Sequence, residues 1–437
     1  MKRTIIGIGV VAILVLSLPA FAVVYVKTNG NDVWDGASWE TAKATIQAGI
    51  NAAAAKVGGD EVWIKTGTYS AGLTLKNGVE LYGGYSGTGS ERNTSTYPTI
   101  IDAARHIRAI KVSAFAIATI DGVEIEYGSS TNGGAVYCSN AILTVNDTIF
   151  HGNWARYGGA IYAVTSTLTV EGCVFDGNTA ALYGGAICFS RSKATITDNT
   201  FTQNWAHCGA AFDCDYATDS LFQWNTVSDN SAQYGAGGSC RWKSNVSILN
   251  NFFTNNLAQY GAGLYLYFVN LVVADNLFDS NAATSRGGGV YVASYSVVDI
   301  INNTMVKNSA HEGGGVCALY KTTGTLANTV LRGNIAAHGG AAYKDPWSAL
   351  RLYSCCYYQN GLSQFAGGVV ADPAFGNFEA DPLFDDYAGA DYHLQAGPPL
   401  SPCVNAGDDS FVDPSWLDLD HNPRQVGHVD IGCYELQ

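Results

Sequence analysis

The sequence predicts an all-β protein, a parallel β-solenoid with about 26 residues per coil. A large apolar residue stands three positions before each member of an Asn series, and a Gly-Gly or Gly-Ala pair usually follows five or six positions after it. Between these markers lie short runs of Val, Ile, Thr, Phe and Tyr, which favour strands separated by turns. The Asn series recurs every 25–27 residues: Asn153, Asn178, Asn204, Asn230, Asn256, Asn281, Asn308, Asn334 and Asn360.

Each repeated position has a physical role in such a coil. Stacked coils let every strand pair in parallel with its copies above and below, and we expect about three strands in each coil. Asn tolerates a left-handed turn, and its amide can bond to the next Asn in the stack. The apolar column, which includes Phe150, Phe175 and Phe201, is expected to stack inside. The Gly pair suits a place where the next turn approaches closely or φ is positive.

The repeats resemble those of known bacterial surface proteins. Phe150-x-x-Asn153 and Phe175-x-x-Asn178, with Gly158-Gly-Ala-Ile161, resemble the FxxN and GGAI repeats of polymorphic outer-membrane proteins. More broadly, residues 120–370 resemble right-handed β-helix proteins of the pectin-lyase-like superfamily. The resemblance implies a single-stranded right-handed parallel β-helix. It implies no one activity, because that superfamily includes lyases, hydrolases and adhesins.

The chain divides into four predicted parts. Residues 1–22 have the basic start, apolar stretch and Ala-Phe-Ala end of a signal peptide, which predicts a secreted or cell-surface protein. Residues 23–59 read as a strand and a capping helix that Ser38 begins and that runs to about Lys56. Residues 60–370 form the β-helix. The capping helix within residues 23–59 would cover the open end of the solenoid and prevent end-to-end association.

The last part, residues 371–437, is predicted to form irregular coils and an end cap. It resembles the choice-of-anchor Q segment that follows β-helices in many secreted bacterial proteins. The chain has 11 Cys, an odd number, so at least one is unpaired or pairs outside the chain. Cys403 and Cys433, both in this part, are the preferred disulfide candidates.

Composition restricts the partners. The formal net charge of −14 argues against nucleic acid and against simple electrostatic capture of anionic polymers. No second long apolar stretch follows the signal peptide, so no transmembrane segment is expected after its cleavage, and the mature protein is expected to be a monomer. A polysaccharide or surface glycan is the expected partner.

The candidate site lies where the repeat changes. Four residues after the first Gly of each pair comes an outward column of Tyr137, Tyr162, Tyr265 and Tyr291, which opens at Asp213 in mid-solenoid. Asp215 and Asp219 with Asp213 are candidate calcium ligands, and Arg241 is a candidate catalytic base beside Asp213 and Asp215. An ion pair between Asp215 and Arg241 is the alternative interpretation. The candidate substrate-binding residues are Tyr137, Tyr162, Trp242, Lys243, Tyr265, Tyr267 and Tyr291.

Two functions therefore stay open at this point. The first is a protein that binds polysaccharide or a surface partner along an exposed aromatic strip, because Tyr and Trp rings stack on sugar rings. The second is a calcium-dependent, pectate-type polysaccharide lyase that acts by β-elimination on uronic-acid polymers. Convergence of Asp213, Asp215 and Arg241 in an outward groove would favour the enzyme.

Overall fold

A computed structural model describes residues 23–56 and 60–437. The predicted signal peptide and residues 57–59 lie outside the described residues. The chain winds into a parallel β-solenoid in which each complete coil adds one strand to each of four sheets. Three strands per coil were expected, whereas each complete coil has four. The stretch between Asn and the Gly pair, predicted as a turn, pairs in register with its copies and is itself a strand.

The first sheet has 13 strands and runs the whole length of the solenoid. Its strands are Val24–Val26, Glu61–Lys65, Glu80–Tyr85, Ile117–Asp121, Ile142–Asn146, Thr167–Glu171, Lys193–Thr197, Ser220–Gln223, Val246–Leu249, Asn270–Ala274, Val297–Ile301, Thr323–Ala327 and Ala349–Tyr353.

The second sheet also has 13 strands, most of them three residues long. They are Gly67–Ser70, Thr99–Asp102, Glu124–Glu126, Ile149–His151, Val174–Asp176, Thr200–Thr202, Thr226–Ser228, Phe252–Thr254, Leu277–Asp279, Thr304–Val306, Val330–Arg332, Cys356–Tyr358 and Phe378–Glu379.

The third sheet is confined to the regular coils and has nine strands. They are Ser129–Asn132, Trp154–Tyr157, Thr179–Tyr183, Trp205–Cys208, Ser231–Tyr234, Leu257–Tyr260, Ala282–Arg286, Ser309–Glu312 and Ile335–His338.

The fourth sheet has 12 strands and leads back to the first. They are Leu73–Leu75, Ile110–Val112, Val136–Ser139, Ile161–Val164, Ile187–Ser190, Phe212–Asp215, Gly238–Arg241, Leu264–Tyr267, Val290–Ala293, Val316–Leu319, Ala342–Lys344 and Phe365–Ala366.

The core is a stack of matched side chains. The Phe150 and Phe175 rings stack with their centroids 4.8 Å apart, close to one coil height. Val227 interrupts this column, and Phe222 fills the gap by packing against Phe201 and Phe253. A Cβ on Gly238 would lie 2.2 Å from the ring of Phe212 in the preceding coil. The small residue therefore makes room for the large one.

Buried Asn side chains connect the coils, as predicted. The Asn153 side-chain nitrogen donates to the Asn178 side-chain oxygen at 3.0 Å, and the same bond repeats coil by coil to Asn360. A second ladder, which the sequence reasoning missed, lies between the first and second sheets. It consists of Asn199, Asn225, Asn251, Asn276 and Asn303.

The helix at the start of the solenoid is shorter than predicted. It spans Ile46–Ala54, and Thr45 rather than Ser38 caps it by accepting from the backbone of Ala48. The carboxylate of Asp32 accepts hydrogen bonds from the backbone of Ala44 and Thr45, which holds the preceding residues out of the helix. Its apolar face packs into the first coils, so the predicted capping helix is present. Among the described residues, no helix is long and apolar enough to span a membrane.

The C-terminal residues lie along the side of the solenoid, which differs from the predicted end cap. After a 3-10 turn at Pro373–Phe375 and a hairpin of Phe384–Asp386 with Asp391–Leu394, the chain runs back towards earlier coils and includes a second 3-10 turn at Asp409–Phe411. His421 stacks on Trp224 with ring centroids 3.7 Å apart, and Asn250 donates to the Leu417 carbonyl. The segment thus covers the outer face of the second sheet. Apolar side chains there, such as Leu277, are removed from water by packing against it.

Candidate functional site

The predicted tyrosine strip is folded in on itself. We call the edge where the strands of the third sheet lead into those of the fourth the tyrosine corner. There Tyr162 stacks on Tyr157, and Tyr265 packs against Tyr234 at 5.2 Å between ring centroids. Tyr291 is only 4% exposed. Burial raises the pKa of Tyr162, Tyr265 and Tyr291. These rings pack on one another and present little free face to a ligand.

The charged residues in the middle of this corner form a buried ion pair. Arg241 Nε donates to Asp213 Oδ1 at 3.0 Å, and Arg241 Nη2 donates to Asp213 Oδ2 at 2.8 Å. Asp213 is fully buried, and Tyr183 covers the guanidinium with its ring centroid 4.1 Å away. The alternative interpretation named the wrong partner, since Arg241 pairs with Asp213 and not with Asp215. The pair fills the gap that the missing tyrosines leave.

This geometry opposes a lyase site at these residues. Burial acts to lower the pKa of Arg241, but attraction to Asp213 outweighs it and raises the pKa overall. A general base must be deprotonated before it can accept a proton from the substrate. A raised pKa keeps Arg241 protonated, which is the wrong direction. Complete burial raises the pKa of Asp213, and Arg241 offsets part of that shift. The arrangement that would favour the enzyme, Asp213, Asp215 and Arg241 converging in an outward groove, is not found, since Asp213 is buried against Arg241.

The three predicted calcium ligands do not come together. Asp213 is buried in the ion pair, whereas Asp219 is exposed and accepts a hydrogen bond from Asn245 at 3.2 Å. Asp215 is half-buried on the fourth sheet. Within residues 23–56 and 60–437, no group of three or more His, Cys, Asp or Glu side chains is arranged to hold a metal ion.

A different aromatic row lies on the turns that lead from the fourth sheet to the first, which we call the open corner. It contains Trp242 and Lys243, two of the predicted binding residues. Phe115 is 83% exposed, Tyr295 62% and Trp347 72%. With one turn per coil, the row extends over roughly 40 Å. Its aromatic members are Phe115, Tyr216, Trp242, Phe268, Tyr295, Tyr320 and Trp347.

The backbone of this row is in an unusual state for such residues. Six of the seven aromatic residues, all except Trp347, have φ between 50° and 62°. Bulky side chains rarely adopt this left-handed region, and each residue costs on the order of 1–2 kcal/mol there. Between the first and second sheets, the equivalent left-handed positions are mostly small polar residues. These are Asp147, Asp198, Asn250, Asp275, Asn302 and Asn328.

Three cavities open along the open corner. The first has a volume of about 580 Å³ and is lined by Phe115, Asn140, Thr165, Arg191 and Lys193, among others. The second, about 500 Å³, is lined by residues that include Lys243, Phe268, Tyr295 and Asp299. The third, about 320 Å³, lies among Ser294, Tyr295, Tyr320, Lys321 and Trp347.

The sequence contained a signal for this row. The column lies seven or eight residues after the first Gly of each pair, one step beyond the columns used for prediction. Asn140 and Thr165 there are ordinary turn residues, but later coils place Tyr, Trp or Phe where Asn, Asp or Gly is expected. An aromatic residue at a turn position that requires positive φ is the anomaly that indicates a functional surface.

The predicted disulfide is not formed. Cys403 and Cys433 are both free and buried. Burial and the neighbouring Cys356 raise the pKa of Cys403. The thiol beside Cys403 is therefore that of Cys356, which lies on a strand of the solenoid, and not that of Cys433. Cys356 and Cys403 belong to one apolar cluster that fixes the segment to the second sheet.

A second buried group of charges lies beneath the C-terminal segment. Arg424 is 1% exposed and lies 3.2 Å from Asp275 Oδ1 and 3.6 Å from Glu435 Oε2. Burial raises the pKa of Asp275 to about 7, although Arg424 acts to lower it. Burial likewise raises the pKa of Glu435 to about 7.

The sequence model of the protein family described as the right-handed β-helix region matches residues 77–232 and 182–336, which together cover more than half of the chain. The chain belongs to the right-handed β-helix family. This agrees with the expected handedness and with the parallel four-sheet solenoid described above. The finer resemblances to polymorphic outer-membrane repeats and to the choice-of-anchor segment stay predictions.

Several solved structures align with this chain over most of its length. XylC in complex with xylose aligns with a TM-score of 0.51 and 9% identity, over 84% of this chain and 88% of that chain. The pectate lyase Pel9A aligns with a TM-score of 0.43 and 15% identity, over 95% and 96% of the two chains. PfbA, a surface adhesin of Streptococcus pneumoniae, gives 0.42 and 14% identity, over 72% and 86%. At 9% identity the likeness to XylC concerns the fold alone. No curated protein matches the sequence.

Proposed function

We propose that this β-helix binds an elongated polysaccharide along the open corner. The observation that carries the proposal is the row of aromatic rings, most of them exposed, which comprises Phe115 and the six successive turns from Tyr216 to Trp347, with six of the seven residues at positive φ. Backbone strain of this kind persists where the surrounding structure enforces it and is concentrated at ligand sites. Flat exposed rings stack on sugar rings, and a row of them suits a polymer that follows the solenoid axis.

The proposed setting is outside the cytoplasm. Residues 1–22 have the pattern of a signal peptide, and a secreted or surface protein would meet polysaccharides there. The fold accepts sugars in at least one similar protein, since XylC was determined with xylose. At 9% identity the surface residues of this chain differ from those of XylC, so its ligand has to be identified by binding measurements.

The direct test is binding to a panel of neutral and acidic polysaccharides, measured by affinity electrophoresis and calorimetry. We expect the double variant Tyr295→Asn, Tyr320→Asn to bind about tenfold or more weakly, because two stacking rings are lost. Asn is the residue that the chain itself uses at this turn, at Asn140, so the backbone should be preserved.

Trp154→Thr is the matched control. Trp154 is 46% exposed but lies on the third sheet, where the next coil carries Thr179. It should bind like the wild type. Equal losses in the control and the double variant would place the site elsewhere. Calcium-dependent release of unsaturated sugars from a uronic-acid polymer would instead revive the lyase interpretation.

A further inference from the structure

We propose that the ligand of the open corner is an acidic glycan, and that the cavity at Arg191 and Lys193 holds one of its anionic groups. This inference rests on the proposed function and specifies its ligand. It reverses the expectation from the overall charge of −14, which argued against anionic polymers. Local charge near the ligand decides attraction within a Debye length of about 10 Å, so a distant acidic surface is largely screened.

The cations of the open corner are not paired with carboxylates. In the part of the chain that the structure describes, Arg191, Lys193, Lys243 and Lys321 form no salt bridge. Some cations elsewhere are paired, such as Arg241 with Asp213 and Arg286 with Glu312 at 2.7 Å, whereas others among the described residues, such as Lys111, are also without a salt bridge. Asp299 is the only carboxylate among the described residues that line the three cavities.

Three of these cations lie over aromatic rings. Arg191 Cζ lies 5.8 Å from the ring centroid of Tyr216. Lys243 Nζ lies 5.9 Å from the Phe268 centroid, and Lys321 Nζ lies 5.4 Å from the Tyr295 centroid. Each pair joins neighbouring turns of the open corner, so ring and charge are presented side by side. A sugar stacked on such a ring would bring a carboxylate or sulfate next to the cation.

The first cavity is the one best suited to an anionic group. Arg191 and Lys193 line it with the exposed hydroxyls of Thr165, Thr167 and Thr218, and no carboxylate lines it. Its volume of about 580 Å³ lies within the roughly 300–1,000 Å³ usual for small-ligand sites. Guanidinium, ammonium and hydroxyl donors that converge on one cavity favour oxyanion recognition.

The experiment compares two charge-matched double variants of the full chain. Arg191→Gln with Lys193→Gln removes the cations of the first cavity. Lys111→Gln with Arg156→Gln removes the same charge from exposed positions on the fourth and third sheets. Binding is measured against polygalacturonate, a sulfated glycosaminoglycan, dextran and single-stranded DNA, at low and high salt.

We expect polygalacturonate or the sulfated glycan to bind in preference to dextran, with affinity that falls as salt rises. The Arg191–Lys193 variant should lose about tenfold or more, as expected when charge-assisted hydrogen bonds are removed, while the control stays near wild type. Preference for the carboxylated or the sulfated polymer identifies the anionic group.

Four results would overturn the inference. Binding of dextran alone would refute it and leave the proposed function standing, whereas binding of no polysaccharide would refute both. Equal losses in the two double variants would show that only total charge matters. Binding of DNA as tight as that of the acidic glycans would show generic attraction of polyanions.

Discussion

The tyrosine corner and the open corner are built from neighbouring positions of the same coils, but their side chains are used differently. In the tyrosine corner, rings from two sheets pack on one another and Arg241 is enclosed with Asp213. In the open corner, rings such as Tyr295 face solvent and Lys321 lies against a ring without a carboxylate partner. Enclosed aromatic and charged groups stabilise a fold, whereas exposed ones at strained positions are available to a ligand.

The largest effect that separates the corners is expected from Arg241→Ala. It leaves Asp213 buried without a partner, so unfolding free energy should fall by about 3–5 kcal/mol. Urea denaturation would measure this. Glycan binding by the folded fraction should be unchanged, because Arg241 is not in the open corner.

The control for this prediction is Asp213→Tyr with Arg241→Tyr, which copies Tyr265 and Tyr267 at the same column positions in the coil after Arg241. A buried ion pair can often be replaced by well-packed neutral residues at little cost, so this variant should recover most of the lost stability. A loss below about 1 kcal/mol in Arg241→Ala would mean that the pair is not coupled to folding.

The second effect is the pH dependence of stability, and it concerns the buried charged groups beneath the C-terminal segment. Like the ion pair of the tyrosine corner, these groups are enclosed, unlike the cations of the open corner. Asp275 and Glu435 have ordinary values of 3.8 and 4.5 and folded pKa values of about 7. The folded state therefore binds more protons, so stability should be highest below about pH 4 from these groups and decline as pH rises through 7. The loss between pH 5 and pH 8 should be on the order of 2–4 kcal/mol.

Thermal unfolding at pH 5 and pH 8 would check this, with Asp275→Asn as the comparison. That variant should lose much of the pH dependence. A wild-type melting temperature that rises with pH would contradict the prediction. Glycan binding should change little over the same range, because Asp275 and Glu435 line none of the three cavities of the open corner.

The smallest effect should come from Tyr295→Asn alone. Asn tolerates the left-handed backbone better than Tyr, so unfolding free energy should be unchanged or higher by up to about 1 kcal/mol. Binding should weaken in the same variant, which the assays above would detect. A clear loss of stability would show instead that Tyr295 contributes to packing, as the tyrosines of the other corner do.

The sequence was sufficient for the coil itself. The period of about 26 residues, the Asn153–Asn360 ladder and the stacked Phe column follow from repetition, and all are present. It was insufficient for the third sheet and for the second Asn ladder. Strands of four residues beside a Gly pair have too little pattern of their own to be distinguished from turns.

The candidate site could be predicted only in part. Trp242 and Lys243 were among the predicted binding residues and lie in the open corner, whereas Tyr137, Tyr162, Tyr265 and Tyr291 pack in the other corner. Strand alternation tells that a side chain points outward, but it does not tell which outward side chains a neighbouring sheet covers. The path of the C-terminal segment was missed for the same reason.

By itself, then, the sequence determined what repetition dictates: the solenoid, its inward columns and the ladder that joins its coils. Only the tertiary structure decided which outward groups are enclosed and which stay free. Residues far apart in the chain, such as Asp213 and Arg241, or Asp275 and Arg424, meet through the stacking of coils and the docking of the C-terminal segment. Burial and partnership depend on those meetings, and they decide whether a charge or a ring contributes to stability or to binding.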